Sequence, residues 1–210
     1  MTGLYVSVPI ACFRKGLARE YLETEELPPP ATCYGFLLSL VGETDRRRHV
    51  GCRVTAGLLR ATERSVVLRT VWRVKKTPLG SPGNTRPDYQ QLLTGVEVVI
   101  WLEASTDATG ASGNLEERVR VALGTPEKIT RFGGLSLGES THLVNEVRLF
   151  APDEGLAART FLLAERGCMT LPVWVDHVGS KGTRHVTGDL VDGTVTEPPV
   201  ERMPLIRPPD

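Results

Sequence analysis

The sequence predicts an α+β fold, on the evidence of three observations. Short segments rich in β-branched residues alternate between apolar and polar positions, which is typical of strands. Helix start and stop signals flank two further segments, at residues 31–41 and 115–123. The elements follow the order strand–helix–strand–strand–helix–strand, which is the order of a ferredoxin-like fold. We therefore predict a ferredoxin-like domain over residues 1–150 and a β-rich C-terminal extension over residues 151–210.

The first strand and the first helix are predicted from residues 4–13 and from the triple proline that follows at 28–30. Proline keeps the chain extended up to the helix start. Thr32 is the candidate N-cap of this helix, and Gly42 is its candidate stop. The helix is apolar on nearly every side, so it is predicted to be buried. Gly35 is predicted to lie where the sheet approaches the helix closely.

A long β-hairpin is predicted at residues 64–102, as an insertion in the fold. Strict alternation places Arg69, Arg73 and Lys75 on one face of its first strand. Trp72 falls on the opposite, apolar face, which favours a position in the core over stacking on a nucleobase. The hairpin is therefore predicted to have one basic face. A turn-rich tip is predicted to join its two strands.

The remaining elements are less regular. Strands are predicted at residues 51–59, at 143–150 and twice within 158–176. Asn114 is the candidate cap of the second helix, because acidic residues follow it in the first turn. The tail from residue 197 to 210 contains five prolines and is predicted to be extended.

Composition narrows the class of protein. The chain is 40% hydrophobic and 24% charged, which suits a folded domain with a core. No apolar run approaches the roughly 18 residues that span a bilayer, and no signal peptide precedes the first strand. We expect a cytoplasmic protein with no membrane partner. The four cysteines and four histidines lack metal-ligand spacing, so no metal and no cofactor are predicted.

Charge is unevenly distributed along a chain whose formal net charge is zero. Residues 1–90 carry a net charge of +6, and residues 91–210 carry −6. The segment 46–76 holds ten basic residues and one acidic residue. Such a local patch binds phosphates whatever the total charge. The alternative is a solvated strand face that acids elsewhere in the fold balance.

A glycine-rich loop at residues 131–142 is the second candidate site. Gly133, Gly134 and Gly138 let the backbone approach a ligand, Ser136 adds a hydroxyl, and Arg131 adds charge. The loop lacks the spacing of dinucleotide-binding and P-loop motifs, so nucleotide hydrolysis is not predicted. The alternative is a turn that packs two elements together.

Catalysis finds little support in the sequence. His142, beside the glycine-rich loop, and His185, near Lys181, are the candidate groups of a metal-independent ribonuclease. No acid–base pair can be assigned to them, so no catalytic residue is predicted.

Four segments resemble a known family. The first strand, from Val6 to Arg14, and the first helix, from Pro28 to Gly42, resemble the start of the fifth family of CRISPR-associated proteins. The segments Gly133–Asn145 and Leu171–Gly179 are similar to its DevS-like branch, described from myxobacterial CRISPR loci. The resemblance covers most of the chain.

The resemblance implies a modified RNA-recognition-motif (RAMP) domain, with the hairpin at about 64–102 as its thumb. It implies a subunit of a type I Cascade complex that holds the 5′ handle of the CRISPR RNA (crRNA). Its partners would be the Cascade backbone subunit and the large subunit, with target DNA nearby. The complex would serve RNA-guided DNA targeting, in antiviral defence or in CRISPR-guided transposition. This chain does not look like the branch that cleaves repeat RNA, so a separate endonuclease is expected.

The basic residues and the glycine-rich loop together form the predicted RNA-binding set. Its members are Arg14, Lys15, Arg53, Arg69, Arg73, Lys75, Lys76, Arg131, Gly133, Gly134, Ser136, Gly138, Lys181 and Arg184. The RNA is expected to run between the basic strand of the hairpin and the glycine-rich loop. Two other hypotheses stay open: a metal-independent endoribonuclease that processes repeat RNA, and a structural module with no RNA role.

Overall fold

The structure of the chain is a computed structural model. It describes residues 1–16, 21–72, 78, 80–107, 113–151, 157–194 and 196–209. No helix in these residues is long and apolar enough to cross a bilayer.

One mixed sheet and two helices make up the described part of the chain. The strands are β1 (Thr2–Ala11), β2 (Tyr21–Leu22), β3 (Arg53–Leu58), β4 (Glu63–Trp72), β5 (Thr85–Glu103), β6 (Glu146–Leu149), β7 (Ala157–Leu163), β8 (Met169–Trp174) and β9 (Arg184–Thr194). The helices are α1 (Pro30–Leu40) and α2 (Leu115–Gly124). The sheet runs in the order β6–β1–β5–β3–β7–β9–β8, and β2 and β4 both pair with β5. The prediction of a fold that combines helices with a β-sheet is confirmed.

Both helices cover one face of the sheet. α1 packs against β3, β8 and α2, and its apolar side chains join those of β1, β3 and β5 in the main core. A smaller cluster lies on the opposite face, around Val99, Trp101, Phe150 and Met203. Gly3 lies opposite Trp101 in the sheet, and an added Cβ there would lie 2.7 Å from the indole ring. The absence of a side chain at Gly3 therefore makes room for the tryptophan.

The long strand β5 belongs to both the sheet and the hairpin. Its first ten residues pair with β4, and its last residues pair with β1 and β3. Gly95, with a φ of +62°, lies where the two parts meet. The burial pattern shifts by one position there: Leu93 is buried before it, and Val96 and Val98 are buried after it. The predicted hairpin at 64–102 thus contains a central strand of the sheet in its second half.

The ends of the helices follow local signals, with one exception. Gly42, with a φ of +69°, ends α1, and the side chain of Asn114 accepts the N–H of Glu117 at the start of α2, as predicted. The prediction of Thr32 as N-cap is wrong, because α1 already begins at Pro30. Proline at the first helical position is favoured, since its missing N–H would have no helical partner there.

The C-terminal segment packs along the sheet. Backbone hydrogen bonds link it to β3 and the preceding residues, including Ile206 N–H to the carbonyl of Cys52 at 2.9 Å. Arg53, a predicted RNA ligand, donates instead to the carbonyl of Met203 at 2.8 Å. Met203 and Ile206 are fully buried, on opposite faces of the sheet. Arg53 therefore stabilises the attachment of the tail.

A buried polar network joins the end of α1 to α2. Arg118 donates from the same nitrogen to Glu43 at 2.6 Å and to Nε2 of His49 at 2.8 Å. Since Nε2 accepts this bond, Nδ1 carries the proton and donates it to Asp107 at 2.9 Å. Arg118 also donates to the carbonyl of Val41, at 3.2 Å. The network replaces the water that each of these buried polar groups loses on folding.

Candidate nucleic-acid interface

Two adjoining cavities lie over the outer face of α1, and together they are called the α1 groove. The first has a volume of about 340 Å³ and reaches the glycine-rich loop and β8. The second, of about 670 Å³, extends past the C-terminal end of α1 to residues 130–132. Gly35, Leu38, Ser39 and Arg46 line both cavities, so the two are continuous.

The groove is open because α1 presents small residues on this face. Ala31, Gly35 and Ser39 are spaced four residues apart and therefore lie along one side of the helix. No atom lies within 4 Å of the position that a Cβ of Gly35 would occupy. The prediction that the sheet approaches Gly35 is wrong: the sheet packs on the opposite side of α1, and Gly35 is exposed.

The glycine-rich loop forms one wall of the groove and is held by the buried side chain of His142. Nδ1 of His142 accepts the backbone N–H of Cys12 at 3.2 Å and that of Glu139 at 3.1 Å. Burial lowers the pKa of His142, against the opposing effect of Glu139, which favours the neutral ring that these bonds require. Leu137 anchors the loop in the core, and Ser136 and Gly138 line the groove.

Two glycines of this loop have positive φ but different surroundings. Gly138 has a φ of +103°, and an added Cβ would lie 2.8 Å from the carbonyl oxygen of Cys12. Gly133 has a φ of +76°, with no atom within 4 Å of that position. The backbone of Gly138 thus lies against Cys12, the residue that follows β1, whereas that of Gly133 faces open space.

We expect Gly138→Ala to lower the free energy of unfolding by about 2–3 kcal/mol, because backbone strain adds to a clash with Cys12. Gly133→Ala is the matched control and should cost only about 1–2 kcal/mol, from the positive φ alone. Urea unfolding of both variants measures the difference. Equal losses would mean that the loop can move away from β1 at little cost.

Arg46 lies on the opposite side of the groove and is held in place by three groups. Its guanidinium lies 3.9 Å from the centre of the Trp174 ring, and it donates to the carbonyl of Val175 at 2.7 Å. Tyr34 donates its hydroxyl hydrogen to the carbonyl of Arg46 at 2.8 Å. A guanidinium held in this way is a preorganised phosphate or carboxylate ligand. Arg46 is the first of three consecutive arginines, and no local pattern in the sequence distinguishes it from the other two.

A third cavity, of about 460 Å³, adjoins the α1 groove at Val175 and brings Arg14 near His185. Asp176 shapes its rim by accepting backbone N–H groups of Val178, Gly179 and Gly182. These hydrogen bonds lower the pKa of Asp176. The turn that they stabilise carries Lys181, which is exposed. We call this space the Arg14 cavity.

Two other predicted RNA ligands, Lys15 and Arg184, lie close to the Arg14 cavity in the sequence or in the sheet. Lys15 lies 3.9 Å from Glu25 in an ion pair. Arg184 begins β9 and is paired with Trp174 in the sheet. The α1 groove and the Arg14 cavity therefore bring together Arg131, Ser136, Gly138, Arg14 and the turn that bears Lys181.

The exposed face of the hairpin is not the one that was predicted. Arg69 pairs with Glu139 of the glycine-rich loop at 3.4 Å, so this ion pair crosses the predicted RNA path. The side chains of Asp88 and Gln90, on the same face, are buried. The prediction of Trp72 as a core residue is wrong, since 61% of its surface is exposed. The alternation of apolar and polar residues identifies the apolar face of the hairpin. Neither α1 nor α2 covers this face, because the hairpin projects beyond both helices.

Three members of the predicted set, Arg73, Lys75 and Lys76, lie outside the described residues. One residue that the sequence analysis missed lies inside them. Phe132 is fully exposed and lines the α1 groove between Arg131 and Gly133. An aromatic residue between an arginine and two glycines was the signal that could have identified it.

Solved structures with the same fold come from CRISPR systems. A chain of a structure described as a CRISPR RNA-guided surveillance complex aligns with a TM-score of 0.60 at 14% identity, covering 91% of this chain and 89% of that one. A second, described as the crystal structure of a Cas protein, aligns with a TM-score of 0.51 at 15% identity, covering 97% of each chain. At these identities the two structures show a shared fold.

The family follows from a closer relative. CRISPR-associated protein Cas5 of Myxococcus xanthus (strain DK1622) is 53% identical over 209 residues, which are 98% of this chain and 97% of the relative. The chain belongs to the Cas5 family, and the resemblance to the fifth family of CRISPR-associated proteins is confirmed. No family model matches the chain.

Proposed function

We propose that this Cas5-family chain is the RNA-binding subunit of a type I Cascade complex and holds the 5′ handle of the crRNA. Family membership over nearly the whole chain carries the proposal. The relative of known structure that is described as an RNA-guided surveillance complex supports it. In this role the subunit caps the Cascade backbone beside the large subunit, for antiviral defence or CRISPR-guided transposition.

The α1 groove and the Arg14 cavity offer the handle a continuous course. Arg131 and Arg46 lie along the groove, and Arg14 and Lys181 lie at the far end. Arginine and lysine bind the phosphates of a single strand, and a glycine-rich loop lets the strand approach the backbone closely. This course replaces the one between the hairpin and the loop, which the Arg69–Glu139 pair occupies.

The strand order supports a ferredoxin-like RAMP domain within the larger sheet. β6, β1, β5 and β3 are adjacent and antiparallel, with α1 between β1 and β3 and α2 between β5 and β6. The hairpin of β4 and β5 would then be the thumb. Its exposed apolar side chains suit contact with the backbone subunit of the complex.

Binding without cleavage is the activity that the site favours. Nδ1 of His142, one candidate base, already accepts two backbone N–H groups. A nitrogen in this position holds the loop and is not available to remove a proton from a ribose hydroxyl. No acid–base pair can be assigned to His185 either, so we propose no catalytic residue in this chain.

The experiment mixes the full chain with labelled repeat RNA, in chelator, with and without the handle sequence. We expect binding that depends on the handle, weakens with salt and leaves the RNA intact. A single discrete cut would support the endoribonuclease hypothesis instead. If neither the chain nor its complex with the neighbouring CRISPR gene products retains RNA, the chain is a structural module.

A further inference from the structure

Phe132 is the most exposed large apolar side chain of the site, because its whole surface is accessible to solvent. The following residue, Gly133, has a φ of +76°, and both residues lie in a bend of the loop. The ring lies at the edge of the 670 Å³ cavity rather than in the core. A fully exposed aromatic ring contributes nothing to packing, and both of its faces are open to a group that stacks on it.

The surroundings of the ring combine apolar and cationic groups. Leu38 and Gly35 form the floor of the groove, and Ser39 adds a hydroxyl. Arg131 adjoins the ring in sequence, and Arg46 lines the same cavity. Glu43 also lines it, but Arg48 and Arg118 both pair with this carboxylate, so its charge is balanced.

These features fit one kind of group better than others. A nucleobase is flat and apolar on its faces, carries hydrogen-bonding edges, and is joined to phosphates on both sides. Aromatic stacking combined with guanidinium–phosphate contacts is how proteins hold single-stranded RNA. An apolar segment of a protein would match the ring and the floor but not the two arginines beside them.

We propose that the α1 groove receives one unstacked nucleobase of the bound RNA, which stacks on Phe132 while its flanking phosphates contact Arg131 and Arg46. The inference rests on the proposed function and assigns a specific role to a residue within it. Base and phosphate contacts are then made by different side chains, so they can be separated by mutation.

The first test measures the affinity of Phe132 variants for single-stranded handle RNA at several salt concentrations. Phe132→Ala and Phe132→Leu should each weaken binding about tenfold, because both remove the stacking surface. Neither removes a charge, so the slope of affinity against salt should stay unchanged. Phe132→Trp should bind like the natural protein. Equal affinity of the alanine variant and the natural protein would overturn the inference, as would full affinity of the leucine variant.

The second test fills the groove from its floor. Gly35→Leu places a side chain in the open space above α1, and leucine favours a helix more than glycine does, so folding is not impaired. This variant should weaken RNA binding about tenfold, whereas the smaller side chain of Gly35→Ala should weaken it much less. Thermal unfolding of both variants checks that they are folded. Normal RNA binding by a folded Gly35→Leu variant would contradict the inference.

A fluorescent base separates this inference from the proposed function. With 2-aminopurine placed at successive handle positions, one position should be quenched on binding, and Phe132→Ala should abolish that quenching. RNA that binds tightly with no Phe132-dependent quenching would overturn the inference alone, whereas no binding of handle RNA at all would overturn the proposed function. If Phe132→Ala binds RNA normally and loses only its association with other subunits, the ring contacts a protein and the inference fails.

Discussion

Replacing Arg118 with alanine is expected to lower the free energy of unfolding by about 2–3 kcal/mol. The substitution leaves the carboxylate of Glu43, Nε2 of His49 and the carbonyl of Val41 without this donor, in a partly buried region. Glu43 keeps Arg48 as a counter-charge, whereas Nε2 of the fully buried His49 is left without a donor. Urea unfolding at neutral pH measures the loss.

Arg48 is the matched control, because it pairs with the same oxygen of Glu43 at 3.1 Å. Its side chain is 44% exposed, against 17% for that of Arg118. Arg48→Ala should therefore cost less than about 1 kcal/mol. Similar losses for the two variants would mean that burial does not set the strength of this network.

The pH dependence of stability gives an independent check on the same network. Burial opposes ionisation of Glu43, but hydrogen bonds from Arg118, the backbone of Asp45 and Arg48 lower its pKa from 4.5 to about 2. Because the folded pKa is below the unfolded one, the stabilisation is complete above pH 4.5 and is lost as the pH falls towards 2. Arg118→Ala should lose less stability than the natural protein across this interval.

Removing two charges from opposite ends of the proposed RNA course should have the largest effect on binding. We expect Arg131→Ala combined with Lys181→Ala to weaken binding of handle RNA about tenfold or more near physiological salt. The slope of log affinity against log salt should fall in magnitude by about 1.4, since each phosphate contact on a single strand contributes about 0.7. Both side chains are exposed, so the fold should be unaffected.

The control for this double variant removes the same charge elsewhere. Arg60→Ala combined with Arg166→Ala changes two exposed arginines that line neither the α1 groove nor the Arg14 cavity. Its affinity and salt slope should stay close to those of the natural protein. If both double variants weaken binding equally, the RNA responds to overall charge and the proposed course is wrong.

The strand β9, which is one of the elements missing from the sequence predictions, shows where local patterns lose their value. Its segment contains Gly188, Gly193 and two aspartates, a composition typical of turns. It is a strand because β7 and β8 pair with it on both sides. Gly188 is required there, since an added Cβ would collide with the carbonyl of Leu162 on β7. Only the assembled sheet reveals this requirement.

Only part of the candidate site could be predicted from the sequence, because local patterns do not show which distant residues meet. Arg131, Ser136 and Gly138 could be selected because they share one short segment. Arg46 could not, because its value depends on Trp174 and Val175, which are more than 120 residues away in sequence.

The amino-acid sequence by itself determined the two helices, most of the strands, the glycine-rich loop and the family, because periodicity, capping residues and motifs act over a few positions. The tertiary structure alone decided which faces these elements expose. It leaves Gly35 and Trp72 in solvent and joins Arg69 to Glu139. The physical reason is that a side chain is buried only when a distant segment covers it, and long-range pairing decides which segments meet.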